Sequence, residues 1–228
     1  MKTVAFVAYP GLTPLDLVGP LQVLSALAEF HPDFEVAVVA QDTGPLPTDT
    51  PLALTASHTF EQVPDPYAII VPGGREPTFR ALTDQALLGY LRSTSPAVVA
   101  SVCTGSLVLG AAGLLKGRAA TTHWAFLNLL TEFDATPVSR RWVEDGPVLT
   151  AAGVSAGIDM GLHLTARLAG ENVARAVQFG IEYDPEPPMG PLDWTTAPRD
   201  LWIGLAAATV RNGLTDAPEL GARLAARL

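Results

Sequence analysis

Short apolar runs separated by amphipathic stretches recur along most of this chain. The runs at 3–8, 34–40, 67–71 and 97–102 are rich in Val, Ile and Ala and contain few polar residues. Runs of this length are typical of strands buried on both faces of a parallel sheet. Because segments with helical spacing lie between them, the alternation predicts an α/β protein with a mainly parallel central sheet.

The remaining pattern completes the expected order of elements. Asp145-Gly146 lies between alternating residues and predicts a hairpin, and shorter strands are expected near 52–55 and 117–124. Four prolines in the segment 182–194, here called the proline-rich segment, impose extended or turn geometry at a surface. Apolar spacing predicts helices over 21–28, 77–91, 125–133, 158–169 and 171–181, and a mostly helical end over 201–228.

The candidate nucleophile is Cys103, the only cysteine in the chain. It follows the apolar run 97–102 and precedes Thr104-Gly105, which opens a helix of small residues. A helix N-terminus presents unpaired N–H groups and partial positive charge, so we expect a thiol pKa below the ordinary value of about 8.5. The alternative is a buried, inert cysteine that fills space.

A second candidate is Asp16, which stands among the apolar neighbours Leu15, Leu17 and Val18. Desolvation there raises the pKa of a carboxyl group unless it finds a partner. The alternative is an N-cap for the following helix. Both interpretations place Asp16 at the carboxyl edge of the sheet, where open α/β folds bind ligands.

Backbone donors are expected at the same edge. The run 67–71 ends in Pro72-Gly73-Gly74, and paired glycines let backbone N–H groups point at a ligand. The N–H groups of Gly74 and Thr104 therefore form a candidate oxyanion hole for Cys103.

Two histidines need separate interpretations. His123 ends the expected strand 117–124 and is the histidine best placed for Cys103 chemistry, although a packed histidine with one backbone partner is the alternative. His163 lies in the middle of a predicted helix, which indicates a structural or exposed role.

Composition narrows the function classes. A net charge of −9 disfavours nucleic acid and anionic membrane partners, and no apolar stretch approaches the roughly 20 residues of a membrane span. One cysteine allows no intrachain disulfide, and no CxxC or His cluster offers a metal site. The first twelve residues are interpreted as a buried strand rather than a signal peptide, and cytoplasmic localisation is expected.

Several motifs together resemble the ThiJ/PfpI superfamily and, within it, the isocyanide (isonitrile) hydratases. The resemblance covers about residues 3–188 and is most specific in SVCTGSLVLGAAGLL with ATTHW. The quoted motifs are Leu15-Asp-Leu-Val-Gly-Pro20, Val71-Pro-Gly-Gly74, Ser101–Leu115, Ala120-Thr-Thr-His-Trp124, Gly153–Asp159 and Glu182-Tyr-Asp-Pro185.

The resemblance implies a flavodoxin-like three-layer sandwich of the class I glutamine amidotransferase type, a homodimer and no cofactor. It implies one domain over residues 1–228, with a C-terminal strap and helical extension over 189–228. The implied catalytic residues are Cys103 as nucleophile, Asp16 as general acid/base, and Thr104. Further pocket residues are expected at Gly73, His123, Trp124 and Val154.

The implied reaction is the hydration of a small isocyanide to an N-formamide through a covalent thioimidate. Thr104 stands where the peptidase-like branch has His, so a Cys-His protease dyad is not expected. The sequence departs from the hydratase pattern after Pro188, where the pocket or the dimer surface is affected. The alternatives are a glyoxalase-like thiol hydrolase, a redox sensor and the ligand-sensing domain of a transcription regulator.

Overall fold

The computed structural model describes residues 1–228 and contains eleven strands. In chain order they are β1 (Lys2–Val7), β2 (Phe34–Ala40), β3 (Pro45–Pro47), β4 (Ala53–Thr55), β5 (His58–Thr59), β6 (Ala68–Val71), β7 (Val98–Val102), β8 (Ala119–Ala120), β9 (Thr136–Pro137), β10 (Trp142–Asp145) and β11 (Val148–Ala151).

Eight α-helices and two 3₁₀ segments connect these strands. The helices are α1 (Pro14–Phe30), α2 (Glu76–Ala81), α3 (Gln85–Ser93), α4 (Gly105–Ala111), α5 (Ala156–Ala169), α6 (Glu171–Gly180), α7 (Arg199–Gly213) and α8 (Pro218–Ala225). The 3₁₀ segments are Phe60–Gln62 and Trp124–Phe133. None of the helices combines the length and the apolar character that a membrane crossing requires.

Seven strands form the central sheet in the order β10-β11-β7-β6-β1-β2-β5. All neighbours are parallel except β10 and β11, which form the hairpin predicted around Asp145-Gly146. Parallel neighbours need crossover connections, and helices supply them between β1 and β2 and between β6 and β7. The carboxyl ends of β1, β6 and β7 therefore meet at one edge of the sheet.

Helices cover both faces of this sheet, as in a flavodoxin-like three-layer sandwich. One layer contains α1, α5 and α6, which pack on one another, and the other contains α2, α3, α4 and α7. The strands β6 and β7 are buried along their whole length, which explains their uninterrupted apolar sequences. The predicted fold class is confirmed.

Four predicted elements differ from those observed. The helix expected over 21–28 already begins at Pro14, so Asp16 lies inside it. The single helix expected over 77–91 is two helices, because Asp84 caps a new helix by accepting hydrogen bonds from the N–H groups of Ala86 and Leu87. The helix expected over 125–133 is a 3₁₀ segment. The strand expected over 117–124 shortens to β8, which pairs with β9 outside the central sheet.

Candidate active site

Cys103 lies on a sharp turn directly after β7, at the end of the sheet where β1 and β6 also finish. Its φ of 55° is in the left-handed region, which costs a non-glycine residue about 1 kcal/mol. Backbone and side-chain hydrogen bonds hold this conformation: the Cys103 N–H donates to the Ala151 and Ala152 carbonyls, and the Thr122 hydroxyl donates to the Cys103 carbonyl at 2.8 Å. We call residues 98–110 the elbow.

Backbone from the end of β6 packs directly on the elbow. A Cβ atom at Gly105 would lie 2.1 Å from the Val71 carbonyl oxygen, and one at Gly73 would lie 2.5 Å from the Thr104 nitrogen. Only glycine allows this approach, since the atoms that a side chain would meet belong to rigid backbone. The two turns therefore form one unit that fixes the position of the sulfur.

Asp16 is fully buried in the first turn of α1, beside this unit. Its Oδ2 accepts a hydrogen bond of 3.0 Å from the Gly73 N–H, while its Oδ1 has no protein partner. The N-cap position belongs to Thr13, whose side chain makes no capping bond. The interpretation of Asp16 as a helix cap is therefore wrong, because the carboxyl group faces the β6 turn.

Burial raises the pKa of Asp16 to about 7. The Gly73 N–H and the Cys103 side chain act in the opposite direction, and the negative charge of Asp49 adds to the increase. The desolvation expected from the apolar neighbours of Asp16 thus dominates. A carboxyl group with this pKa exchanges a proton readily near neutral pH.

The pKa of Cys103 is raised, first by burial and then by the charge of Asp16, so the expected lowering is wrong. The N–H groups of Thr104 and Val154 and the Thr104 side chain oppose this increase. The thiol is only 5% exposed, and the helix N-terminus does not compensate for lost hydration next to a carboxylate. The resting pair therefore keeps a proton on sulfur.

Gly74 and Thr104 form two hydrogen bonds with each other. The Gly74 N–H donates to the Thr104 hydroxyl at 2.9 Å, and that hydroxyl donates to the Gly74 carbonyl at 2.8 Å. The prediction of Gly74 as a free oxyanion donor is therefore wrong for this arrangement, since its N–H is occupied. With the Thr104 hydroxyl proton engaged, the N–H groups of Thr104 and Val154 are the stronger donors toward sulfur.

His123 packs against Gly153, next to Val154, and neither His123 nor Trp124 forms a hydrogen bond with Cys103. The His123 Nδ1 accepts a hydrogen bond from the Ala125 N–H, and burial lowers the pKa of His123 to about 4. No hydrogen bond joins His123 to Cys103, so the geometry matches a packed, neutral histidine with one backbone partner. Its ring lies 5.6 Å from that of Trp202, and Trp124 contacts both Trp202 and Trp194.

The other histidine in question is remote from the site. His163 pairs with Glu144 at 2.7 Å, and Glu144 also bonds to Arg167. These are partly exposed side chains at the β10 edge of the sheet. No group of three or more His, Cys, Asp or Glu side chains is arranged to hold a metal ion.

Sequence reasoning missed two side chains next to the site. The hydroxyl of Tyr9 donates to the Pro72 carbonyl at 2.7 Å and so supports the glycine turn. The side chain of Asp49 accepts a 2.5 Å hydrogen bond from Thr13. Neither residue carried a signal, because each reaches the site through a contact between distant parts of the chain.

A buried cysteine on a strand–helix turn, paired with a buried carboxyl group at the edge of a parallel sheet, defines the class of cysteine-centred α/β sandwich proteins. Residues 2–167 match the DJ-1/PfpI family. The chain belongs to that family.

Individual relatives refine this assignment. The chain is 43% identical over 197 residues to isonitrile hydratase of Pseudomonas putida, covering 86% of this chain and 84% of that protein. It is 32% identical to the HTH-type transcriptional regulator CdhR of Pseudomonas aeruginosa, covering 74% of this chain but 51% of the regulator. A crystal structure of a ThiJ/PfpI family protein from Pseudomonas syringae superposes with a TM-score of 0.85 at 34% identity, covering 98% of this chain and 90% of that one.

Proposed function

We propose that this protein hydrates isocyanides to N-substituted formamides. The observation that carries the proposal is the buried pair of Asp16 and Cys103 in a chain 43% identical to isonitrile hydratase of Pseudomonas putida. A protonated thiol beside a carboxyl group that exchanges its proton near neutral pH suits a reaction that adds both a nucleophile and a proton to one carbon atom.

In the first step the Cys103 sulfur attacks the terminal carbon of R–N≡C. As the S–C bond forms, the Asp16 carboxyl group delivers its proton to the same carbon and takes up the thiol proton in exchange. The product is the thioimidate Cys103–S–CH=N–R, and no group leaves. The N–H groups of Thr104 and Val154 stabilise negative charge on sulfur during this transfer.

In the second step water attacks the thioimidate carbon. Asp16 donates its proton to the nitrogen and accepts one from the water, and the S–C bond then breaks. The sulfur regains its proton and the formamide R–NH–CHO is released. The reaction consumes one water and requires no oxidant, reductant or cofactor.

The resemblance to CdhR favours one second candidate, a ligand-sensing domain. A redox sensor is less well supported, since sensor thiols have a low pKa and are accessible, whereas burial raises the pKa of Cys103. A glyoxalase-like hydrolase would use the same thiol, and its distinction from the hydratase is the substrate.

We further propose a cytoplasmic homodimer. A free nucleophilic thiol is compatible with a reducing compartment. Apolar side chains that are exposed in the single chain support association with a second copy. They include Met189, Leu192, Leu201, Ile203 and Leu205.

The test is turnover of an aryl isocyanide by the purified protein, with the formamide identified by mass spectrometry. We expect product from the wild type and none above background from Cys103→Ala, whose thermal melting should stay close to wild type. Rapid quenching should trap an adduct on Cys103 equal in mass to the intact isocyanide. Turnover by Cys103→Ala, or loss of activity explained by unfolding, would contradict the covalent mechanism.

A further inference from the structure

The β3–β4 hairpin is fixed against the loop that leads into α1. The Gly11 N–H donates to the Pro47 carbonyl at 2.7 Å, and the Asp49 N–H donates to the Leu12 carbonyl at 3.1 Å. On its other side Leu12 forms a bridge with Gly74 of the glycine turn. The hairpin tip is thus held in a defined position beside the site.

This attachment places the Asp49 carboxyl group against Thr13, the N-cap of α1, whose first turn contains Asp16. The Thr13 hydroxyl donates to Asp49 Oδ2 at 2.5 Å, whereas Asp49 Oδ1 is shielded from solvent and has no protein partner. Asp16 Oδ1 is shielded and unpartnered in the same way. Each carboxyl group therefore has one satisfied and one unsatisfied oxygen.

We propose that Asp49 is a positioning residue whose negative charge, added to the effect of burial, favours the protonated form of the Asp16 carboxyl group. This inference rests on the proposed function, in which Asp16 must hold and deliver a proton. Asp49 acts through its charge on Asp16 and has no contact with the reacting atoms. The hydroxyl of Thr13 holds Asp49 in place for this role.

The groups around Asp16 explain why Asp49 has this influence. The titratable groups that interact with it are Tyr9, which follows β1, Cys103 from the elbow and Asp49 from the hairpin. The Gly73 N–H favours the ionised form of Asp16. Burial, with smaller contributions from Asp16, Cys103 and Asp49, raises the pKa of Tyr9 further above its usual value, so Tyr9 is neutral. With Cys103 also protonated at rest, Asp49 contributes the negative charge that disfavours ionisation of Asp16.

The decisive variant is Asp49→Asn, which keeps the size of the side chain and an acceptor for the Thr13 hydroxyl while removing the charge. We expect the apparent pKa of Asp16, followed by ¹³C NMR of labelled aspartate, to fall by about 0.5 to 1 pH unit. The Asp16 resonance is identified by its absence in Asp16→Asn. Asp49→Glu, which retains the charge, should stay near the wild-type value.

Asp65→Asn is the matched control. It removes one negative charge at an exposed residue that makes no hydrogen bond, so the Asp16 titration should not move. Asp49→Ser supplies a second neutral variant if Asp49→Asn fails to fold. An unchanged Asp16 titration in a folded neutral variant would overturn the proposal.

Kinetics supply a second readout that a purely structural role would not move. In Asp49→Asn the basic limb of the kcat/KM profile should shift to lower pH by the same amount, with little change below pH 6. If the wild type fails to hydrate isocyanides, the proposed function is wrong, but the NMR titration still decides the effect of Asp49 on Asp16. The two failures are therefore distinguishable.

Discussion

The elbow and the proline-rich segment show two ways of placing polypeptide near a site. Every residue of the elbow is buried, and rigid backbone surrounds its turn. In the proline-rich segment every residue is exposed except the half-buried Tyr183, and Met189 and Leu192 are 93% and 75% exposed. The elbow is fixed by contacts that allow no alternative side chain, whereas few contacts hold the segment.

The contacts that do hold the proline-rich segment lie at its two ends. The Tyr183 hydroxyl donates to Asp159 at 3.0 Å, and the ring of Trp194 lies 6.0 Å from that of Trp124. Side chains introduced between these two points would face solvent. Side chains introduced in the elbow would contact packed backbone. The comparison therefore predicts a steep gradient of effects from one region to the other.

The largest effect is expected for Gly105→Ala in the elbow. The added Cβ would meet the Val71 carbonyl at 2.1 Å, and separating the two turns should cost about 3 kcal/mol or more of unfolding free energy. The matched control is Gly89→Ala on the exposed face of α3, where a Cβ has no neighbour within 4 Å. It should stabilise the helix by about 1 kcal/mol. Urea denaturation compares the two, and equal stabilities would contradict the packing argument.

In the proposed mechanism Asp16 carries the proton, so Asp16→Asn should reduce turnover by a factor of about 10² or more. The same variant should also show how much unfolding free energy the wild type loses when the buried Asp16 carboxyl group ionises. The folded pKa of Asp16 is raised to about 7, so its contribution to wild-type stability is present below about pH 4 and is lost as the pH rises to 7.

Because asparagine does not titrate, the unfolding free energy of Asp16→Asn relative to wild type should increase over this range. The upper limit is on the order of 4 kcal/mol. Urea denaturation at pH 4.5 and pH 8 measures the change. A difference between the two proteins that does not vary with pH would show that Asp16 is not desolvated.

A smaller effect is expected in the alkylation of Cys103 by iodoacetamide. Burial and Asp16 raise the pKa of the thiol, so at neutral pH the rate should be at least about tenfold below that of free cysteine. The rate should increase only above about pH 8.5, and Asp16→Asn should move the curve to lower pH. If the alkylation rate is half-maximal at a pH below the pKa of free cysteine, the expectation of a thiolate stabilised by the helix N-terminus would be restored.

The smallest effects are expected in the proline-rich segment. Trp194→Ala removes one ring contact of a half-exposed side chain and should cost about 1 kcal/mol or less. Met189→Ala should change the unfolding free energy by less than about 0.5 kcal/mol. Thermal melting at low protein concentration tests both. A large loss of unfolding free energy for monomeric Met189→Ala would show that Met189 makes contacts that are absent from the structure of the single chain.

The pattern of apolar residues along the chain was sufficient to predict the buried strands. Strands β1, β2, β6 and β7 lie where the apolar runs predicted them, because a strand buried on both faces needs an apolar sequence throughout. The break between α2 and α3 was missed, since the cap that creates it depends on one side chain, Asp84, inside an apolar pattern that continues across it.

The site was predictable in part for a similar reason. Asp16 and Cys103 follow strands that share one edge of the sheet, so topology alone brings them near each other. The raised pKa of Cys103 and the presence of Asp49 depend on burial and on a hairpin that docks from elsewhere. No spacing within the sequence encodes either feature.

The contacts of the Cys103 backbone also determine when the centre can exist during synthesis. Its N–H bonds to the carbonyls of Ala151 and Ala152, and the N–H of Val154 faces its sulfur. On the ribosome Cys103 emerges well before these partners, and β7 cannot pair with β11 until β11 has been translated. Because long-range parallel pairing forms slowly, the thiol remains outside its buried environment through the middle of translation. The nascent chain therefore completes the surroundings of Cys103 late, after most strands of the sheet have been translated.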